Sequence, residues 1–323
     1  HEESMLAVVL AAGRGKRLRP LTDGRSKPML PVAGKPMVVR VMERLAAEEA
    51  AKFIVVTHPD DEPLLNLLRR SPWQKRVRLA FQETRRGMAD AVARAGPLVE
   101  EEGVSEFLLS SCDNLFPEGY ISELMAHRRA HGLDAALTLL RVPREQVPTL
   151  AVVQTEGERV TSIVEKPSPE EAPSDLGSVA LYALTPRVLN YVRRVPVSHR
   201  GERELQDALQ LLIDEGGAVG GLVAKGRMTL TSPADLLALN QHFLRTEPAC
   251  AVVEAELPES ATLVPPVRIE EGAQLGAECS VGPLVYLEAG CRVGAGARLL
   301  EAVVLRGASV PSGDHIQGSV VHQ

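Results

Sequence analysis

Aromatic side chains are scarce, 3% of 323 residues with one tryptophan, too few for the stacking platforms of single-strand nucleic-acid binders. A positive excess is also missing. The 36 Lys and Arg are outnumbered by 42 Asp and Glu, for a net charge of −6, which argues against nucleic acid or an acidic membrane surface as partner. Cysteine is limited to Cys112, Cys250, Cys279 and Cys291. None shows C-x-x-C spacing, so the cysteines predict no zinc site. No signal peptide precedes them, and reduced thiols in a cytoplasmic protein are expected. No apolar run reaches the roughly 18–20 residues that span a bilayer. His1 to Ser4 read as a non-native extension ahead of Met5.

What is present is a globular composition, 45% hydrophobic and 24% charged, in a chain long enough for two domains. Leu6–Leu10 is a short apolar run that ends in a Gly-rich loop, the pattern of a buried strand feeding a loop and a helix. Helical spacing over Val38–Ala51 precedes a second apolar run at Phe53–Thr57. Leu64–Arg70 reads as helix, Val77–Phe81 as strand, Ala89–Glu102 as helix and Phe107–Ser111 as strand. Alternating strands and helices predict a mostly parallel, Rossmann-like α/β sheet. Ligands then sit beyond the carboxyl ends of the strands, where the loops at residues 11–20, 82–88 and 112–116 fall.

From about residue 250 the period changes. Leu263, Ile269, Leu275, Val281, Leu287, Val293, Leu299 and Leu305 recur every six residues. Two positions earlier stand Ala261, Val267, Ala273, Cys279, Val285, Cys291, Ala297 and Val303, all small or β-branched. Neither a helix nor an ordinary strand has this period. It predicts a parallel β-helix of the left-handed hexapeptide type, with the large residues at inward corners. The domains expected are 5–248, an α/β domain, and 249–323, the β-helix.

The chemistry-bearing segment is Leu10-Ala11-Ala12-Gly13-Arg14-Gly15-Lys16-Arg17-Leu18, followed by Ser26-Lys27-Pro28-Met29-Leu30-Pro31. Glycines let backbone N–H groups approach phosphate oxygens, and Arg17 and Lys27 can neutralise a triphosphate. It is neither a Walker loop, since Arg17 follows Lys16, nor a dinucleotide fingerprint, since the third glycine is missing.

The whole string resembles the signature of sugar-phosphate nucleotidyltransferases, and the resemblance continues along nearly the whole chain. Gln82 with Gly87-Met88-Ala89-Asp90-Ala91 resembles the base-reading segment of the uridylyl- and thymidylyltransferases. Cys112-Asp113-Asn114 resembles the metal-binding Gly-Asp corner. Ile163-Val164-Glu165-Lys166-Pro167 resembles the E-K-P segment that holds the sugar phosphate. Gly201-Glu202 with Leu205-Gln206-Asp207-Ala208, and Ser232-Pro233 with Asp235-Leu236 and Asn240, resemble later segments.

The resemblance implies a reaction of a nucleoside triphosphate, UTP or dTTP favoured, with a sugar 1-phosphate to give a nucleotide-sugar and pyrophosphate. It implies catalytic roles for Arg17, Lys27 and Asp113. Leu10, Ala12, Gly13, Gly15, Gln82 and Gly87 would hold the nucleotide, Glu165 and Lys166 the sugar phosphate, and Asp113 a Mg²⁺ ion. A homo-oligomer without nucleic-acid or membrane partner is expected.

Departures cluster on the sugar and metal side. The family's second metal-binding acid or asparagine appears as Thr229, and a neutral hydroxyl is a poor Mg²⁺ ligand beside carboxylate. The family's Y-G appears as Leu150-Ala151, its N-x-G as Ser178-Val179-Ala180, its Gly-Asp as Cys112-Asp113 and its T-D as Gln206-Asp207. An active enzyme with an altered sugar acceptor and a nucleotide-binding homologue of regulatory or assembly role both stay open. A bifunctional enzyme with a C-terminal acyltransferase is a third reading. Against it, the eight hexads make fewer than three triangular turns, and His315 lies beyond the regular repeat.

Overall fold

The computed structural model describes residues 4–323. The chain divides into two compact units, 1–13 with 41–227, and 14–40 with 228–323.

The first unit is built on a nine-stranded sheet. Strand β1 (Leu6–Leu10) lies between β2 (Lys52–Thr57) and β4 (Phe107–Ser111), parallel to both, and β3 (Val77–Phe81) extends the sheet in parallel beyond β2. Helices α1 (Met37–Glu48), α2 (Glu62–Leu68), α3 (Met88–Glu102) and α4 (Tyr120–Ala130) alternate with these strands, and α5 (Val188–Val192) and α6 (Leu205–Asp214) follow later in the chain. Strand β1 is buried almost throughout, as its unbroken run of Leu, Ala and Val requires of a strand covered on both faces. Beyond β4 the sheet turns antiparallel. The long strand β8 (Leu176–Leu184) pairs with β4 through its second half and with β6 (Ala151–Glu156) through Gly177 and Ser178. It also pairs with β5 (Ala135–Arg141), itself parallel to β9 (Val219–Val223). Strand β7 (Arg159–Glu165) closes a hairpin with β6.

This register decides where the loops go. Leu10 stands beside Ser111 and Val56, and the N–H of Gln82 donates to Thr57 O at 3.0 Å. The chain therefore leaves β1, β3 and β4 at one edge of the sheet. Glu165 pairs with Ala151, which pairs with Ser178 on β8, so the end of β7 reaches that same edge.

The second unit holds 3₁₀ turns at Lys16–Leu18 and Lys27–Met29, a small hairpin (Pro31–Val32 with Lys35–Pro36), helix α7 (Pro233–Thr246) and the C-terminal repeats. Two segments singled out by resemblance have structural work here. Asp235 forms a capping box with Ser232, accepting from the Ser232 N–H at 3.0 Å while Ser232 Oγ accepts from the Asp235 N–H at 3.2 Å. Asn240 is fully buried. Its Oδ1 accepts from the Ala33 N–H at 2.7 Å, and its Nδ2 donates to Pro31 O and Leu236 O, tying the hairpin to α7.

The repeats form three parallel sheets of very short strands. Leu263, Val281 and Leu299 stack in one, Leu275 and Val293 in another, Ile269 and Leu287 in the third, each partner three hexads further on. Cys279 and Cys291 are buried in the core of this coil, as small inward residues should be.

The period then slips, which corrects the unbroken six-residue reading. Leu287 pairs with Val304, not with Leu305, and the later pairs Val293–Val310 and Leu299–Ile316 keep the one-residue offset. The slip falls at a turn where Glu301 adopts a positive φ of 49° and its N–H donates to Pro283 O. The coil's core therefore takes Val304, Ala308 and Val310 in place of Val303 and Leu305. Helix α7 packs against the sheet that contains Val285–Leu287 and Ala302–Val304. The coil also continues further than the repeat suggests. His315–Gln317 is a paired strand with His315 exposed, and Val320–Val321 is the last.

Candidate functional site

In the first unit the carboxyl edge of the sheet gathers Leu10, Ala12, Gly13, Gln82, Gly87, Asp113, Glu165 and Lys166. Ala12 is half-buried and Gly13 exposed. A Cβ on Gly13 would stand 3.7 Å from the Arg85 guanidinium. Arg85, in a loop whose sequence reads as a solvated edge, thus brings positive charge to the start of the Gly-rich loop.

Gln82 is buried, and its Nε2 donates to Gly87 O at 3.2 Å and to Asp90 Oδ2 at 2.9 Å. Both partners are acceptors, which fixes the amide orientation. The carbonyl oxygen Oε1 is the end turned away from them. Gly87 begins α3 with φ 95°, and a Cβ there would lie 2.3 Å from Arg203 O. The Ala89 N–H donates to that same oxygen, and the Arg203 N–H donates to Arg86 O. Gly87 is therefore required by the close packing of residues 201–204 against α3.

Asp113 follows β4 and is half-buried. Asn114 donates from Nδ2 to Asp113 Oδ1 at 3.2 Å and to Ser111 Oγ at 3.0 Å, and its Oδ1 accepts from Arg227 at 2.9 Å. The acidic corner thus has an arginine tied into it.

Glu165 ends β7, and its Oε1 lies 3.4 Å from Arg200. Its other oxygen, Oε2, is buried with no hydrogen-bond partner, as are Glu204 Oε1 and Arg203 Nε. Such atoms cost free energy unless something satisfies them. Burial pushes the Glu204 carboxyl up from the usual carboxylate range, and the negative charges of Glu165 and Glu202 add to it. Lys166 is exposed, with its N–H donating to Leu150 O and its backbone in the left-handed region at φ 44°. Strain of this kind in a non-glycine residue clusters at ligand sites. Beside this corner Leu150 fills space, its Cδ1 standing 2.9 Å from where a Cβ on Gly177 would be.

The second unit carries Gly15, Arg17, Lys27 and Thr229. Gly15 takes a left-handed conformation, φ 64° and ψ 46°, and its carbonyl accepts from Thr22 Oγ1 at 2.9 Å. A Cβ on Gly15 would lie 2.9 Å from Lys27 Cβ, so the two halves of the basic signature fold together. Arg17 is exposed, while Ser26 Oγ is buried without a partner. Between these halves Arg25 makes a bidentate pair with Glu288 of the coil at 2.7 and 2.5 Å, and Glu288 also accepts from the Arg306 N–H at 2.6 Å. The Thr229 side chain is half-buried.

Arg203, Glu204 and Arg227 escaped the sequence reading, and Arg85, Asp90 and Asn114 were given no role of their own in it. Asp90 lies inside a segment quoted for its glycine and alanines, and Glu204 just past Gly201-Glu202. Their roles depend on burial and pairing, which one sequence does not display.

The nucleotidyl transferase family model matches residues 6–244. The chain belongs to this family. The sugar-phosphate nucleotidyltransferase resemblance drawn from the motifs therefore holds. A glucose-1-phosphate thymidylyltransferase of Streptomyces griseus is 32% identical over 98% of this chain and 92% of its own length. A UTP–glucose-1-phosphate uridylyltransferase of Haloferax volcanii is 32% identical over 72% of this chain and 93% of its own. The bifunctional protein GlmU of Methanococcus maripaludis is 29% identical over 83% of this chain, which spans only 61% of that relative's length. Among solved structures, a UDP-glucose pyrophosphorylase complexed with UDP-glucose superposes with a TM-score of 0.66 at 19% identity, over 76% of this chain and all of that one. At that identity the likeness supports the α/β fold alone.

Proposed function

We propose that the chain joins a nucleoside triphosphate, UTP or dTTP, to a sugar 1-phosphate, giving a nucleotide-sugar and pyrophosphate. The observation that carries the reading is the group of buried, unsatisfied polar atoms on Glu165, Glu204 and Arg203 at the carboxyl edge of the sheet. Hydroxyls donate to carboxylate oxygens and accept from a guanidinium, so a sugar would satisfy all three.

The sugar phosphate needs no general base. A phosphate monoester has a second pKa near about 6 and is mostly dianionic at neutral pH. One of its oxygens attacks the α-phosphorus, a new P–O bond forms, the α–β bridge bond breaks, and pyrophosphate leaves with the electron pair. Catalysis is then positioning and charge neutralisation. Lys166 and Glu165 orient the nucleophile, Lys27 holds the triphosphate and Arg17 offsets charge on departing pyrophosphate. Leu10, Ala12, Gly13 and Gly15 offer backbone to the nucleotide. Gln82 presents its carbonyl oxygen as an acceptor, which suits the N3–H of uracil or thymine.

The residues fit a Mg²⁺ ion with one protein carboxylate, Asp113, the rest of its oxygens coming from phosphates and water. Bound there, the ion would supply charge neutralisation on the phosphates. On this reading residues 5–248 are the catalytic domain and 249–323 a left-handed β-helix, supported by the parallel stacking of short strands. A cytoplasmic setting fits four free cysteines. The second reading, a nucleotide-binding homologue of low activity, draws on Arg227 tied into the Asp113 corner and on Thr229 at the position of the second metal ligand.

Replacing Glu165 with Gln tests the assignment. The KM for sugar 1-phosphate should rise about ten-fold or more, for a charged hydrogen bond worth roughly 1.5–3 kcal/mol, with the KM for the nucleotide little changed. Equal effects on both substrates would contradict a sugar-side role.

A further inference from the structure

At the sheet edge opposite the carboxyl ends, α4 finishes and the β6–β7 hairpin turns. His127 lies in the last turn of α4 and His131 caps it, four residues apart and so on one face. Their ring centroids are 4.5 Å apart. The hairpin, turning at Gly157 with φ 57°, presents Glu158 to both rings. Glu158 Oε2 lies 3.6 Å from His127 Nε2 and 3.9 Å from His131 Nε2, and one ligand atom from each of the three residues falls within 4.8 Å of the others.

Hydrogen bonding does not account for this arrangement. Both separations exceed the range of a hydrogen bond. His127 Nε2 is buried and makes none. A buried imidazole nitrogen without a hydrogen-bond partner, beside a second imidazole and a carboxylate, is a ligand set.

We propose that His127, His131 and Glu158 bind a divalent transition metal ion, with water in the remaining position. Two imidazoles and one carboxylate select a borderline ion such as Zn²⁺, Co²⁺ or Ni²⁺ and reject Mg²⁺ and Ca²⁺, which take oxygen ligands. Tetrahedral Zn²⁺ at roughly 2.0–2.1 Å from each ligand sets the ligand atoms roughly 3.3 Å apart, which asks for a contraction of a few tenths of an ångström between Glu158 Oε2 and His127 Nε2 and more between Glu158 Oε2 and His131 Nε2, in a set whose atoms all lie within 4.8 Å of one another. The exposed Glu158 side chain and the half-buried His127 can supply it without moving the sheet. The site is separate from the Asp113 corner, since β6 and β7 run the full depth of the sheet between them. It uses none of the cysteines. The ion would pin the end of α4 to the hairpin whose second strand ends at Glu165.

The test uses the full chain, stripped with a chelator, and titrates Zn²⁺ alone by calorimetry, with Co²⁺ absorption as a second probe of coordination. The expected result is one Zn²⁺ per chain, a rise in melting temperature, tetrahedral Co²⁺ bands displaced by Zn²⁺, and no competition from excess Mg²⁺. His131→Gln, at an exposed position, should fold and melt like the parent without metal, yet weaken Zn²⁺ binding by at least about ten-fold. His127→Gln and Glu158→Gln should do the same. Absence of stoichiometric Zn²⁺ binding would overturn the proposal, as would equal affinity in the parent and His131→Gln.

Discussion

At the residue scale the reading rests on groups that are buried without being satisfied. Glu204 is the clearest. Its pKa is raised in the fold, mainly by burial and then by Glu165 and Glu202. A carboxyl with a raised pKa is less favourably ionised in the fold than in the unfolded chain. It therefore costs stability as pH rises from the ordinary carboxylate range through the raised value, and the cost disappears below that range. Sugar hydroxyls that donate to the ionised form reverse the shift, so binding releases protons. The affinity for sugar 1-phosphate should consequently fall as pH falls through the Glu204 pKa. Measured as KM against pH, Glu204→Gln should lose this component and keep only the titration of the substrate phosphate. Identical profiles in parent and variant would remove Glu204 from the site. Gln82, Asp113, Glu165 and Lys166 stand out in the sequence because their motifs are long. Glu204 does not, because its importance comes from a buried oxygen rather than from its neighbours in the chain. Gly87 stands out as well, as a nucleotide contact by resemblance, and the fold adds a packing reason for glycine there, the close approach of Arg203 O.

At the element scale the apolar runs announce themselves. Strands Leu6–Leu10, Val77–Phe81 and Phe107–Ser111 have the bounds their sequences indicate, because each is a mainly apolar run that ends at a loop. Helix Met37–Glu48 stops three residues short of the periodic pattern, where Ala50 and Ala51 turn into the next strand. The antiparallel half, with β8 pairing to three neighbours, left no such trace, since pairing partners are chosen by tertiary packing. The repeat was legible in its period but not in its slip. Turns of positive φ usually want glycine, and Glu301 does not signal one. The slip has an energetic consequence. Val304, rather than Val303 or Leu305, belongs to the coil's core. Val304→Thr, nearly isosteric, places a hydroxyl there and should destabilise by about 1–3 kcal/mol, measured by denaturant unfolding. A cost within error of zero would return Val304 to the outside of the coil.

At the scale of the whole molecule the grouping of segments matters more than their order. Residues 14–40, which carry most of the basic signature, pack with the C-terminal repeats in one compact unit. Within it the Arg25–Glu288 pair is almost fully enclosed, with side-chain exposures of 12% and 9%, so screening by solvent is weak. Glu288 thereby positions the segment between Gly15 and Lys27. Glu288→Ala should raise the KM for the nucleoside triphosphate several-fold while leaving the KM for sugar 1-phosphate near the parent value. Glu288→Gln, which can still accept from the Arg306 N–H, should recover part of the loss. A variant with the parent's KM for nucleotide would mean that the coil supports only its own fold.

The central claim is nucleotidyl transfer, and the most direct measurement is pyrophosphate release from the purified full chain with Mg²⁺ across a matrix of nucleoside triphosphates and sugar 1-phosphates. Turnover with UTP or dTTP and at least one sugar 1-phosphate, lost in Asp113→Asn, is the result expected. Tight binding of nucleotide with no release of pyrophosphate anywhere in the matrix would contradict the account and identify a binding homologue in its place.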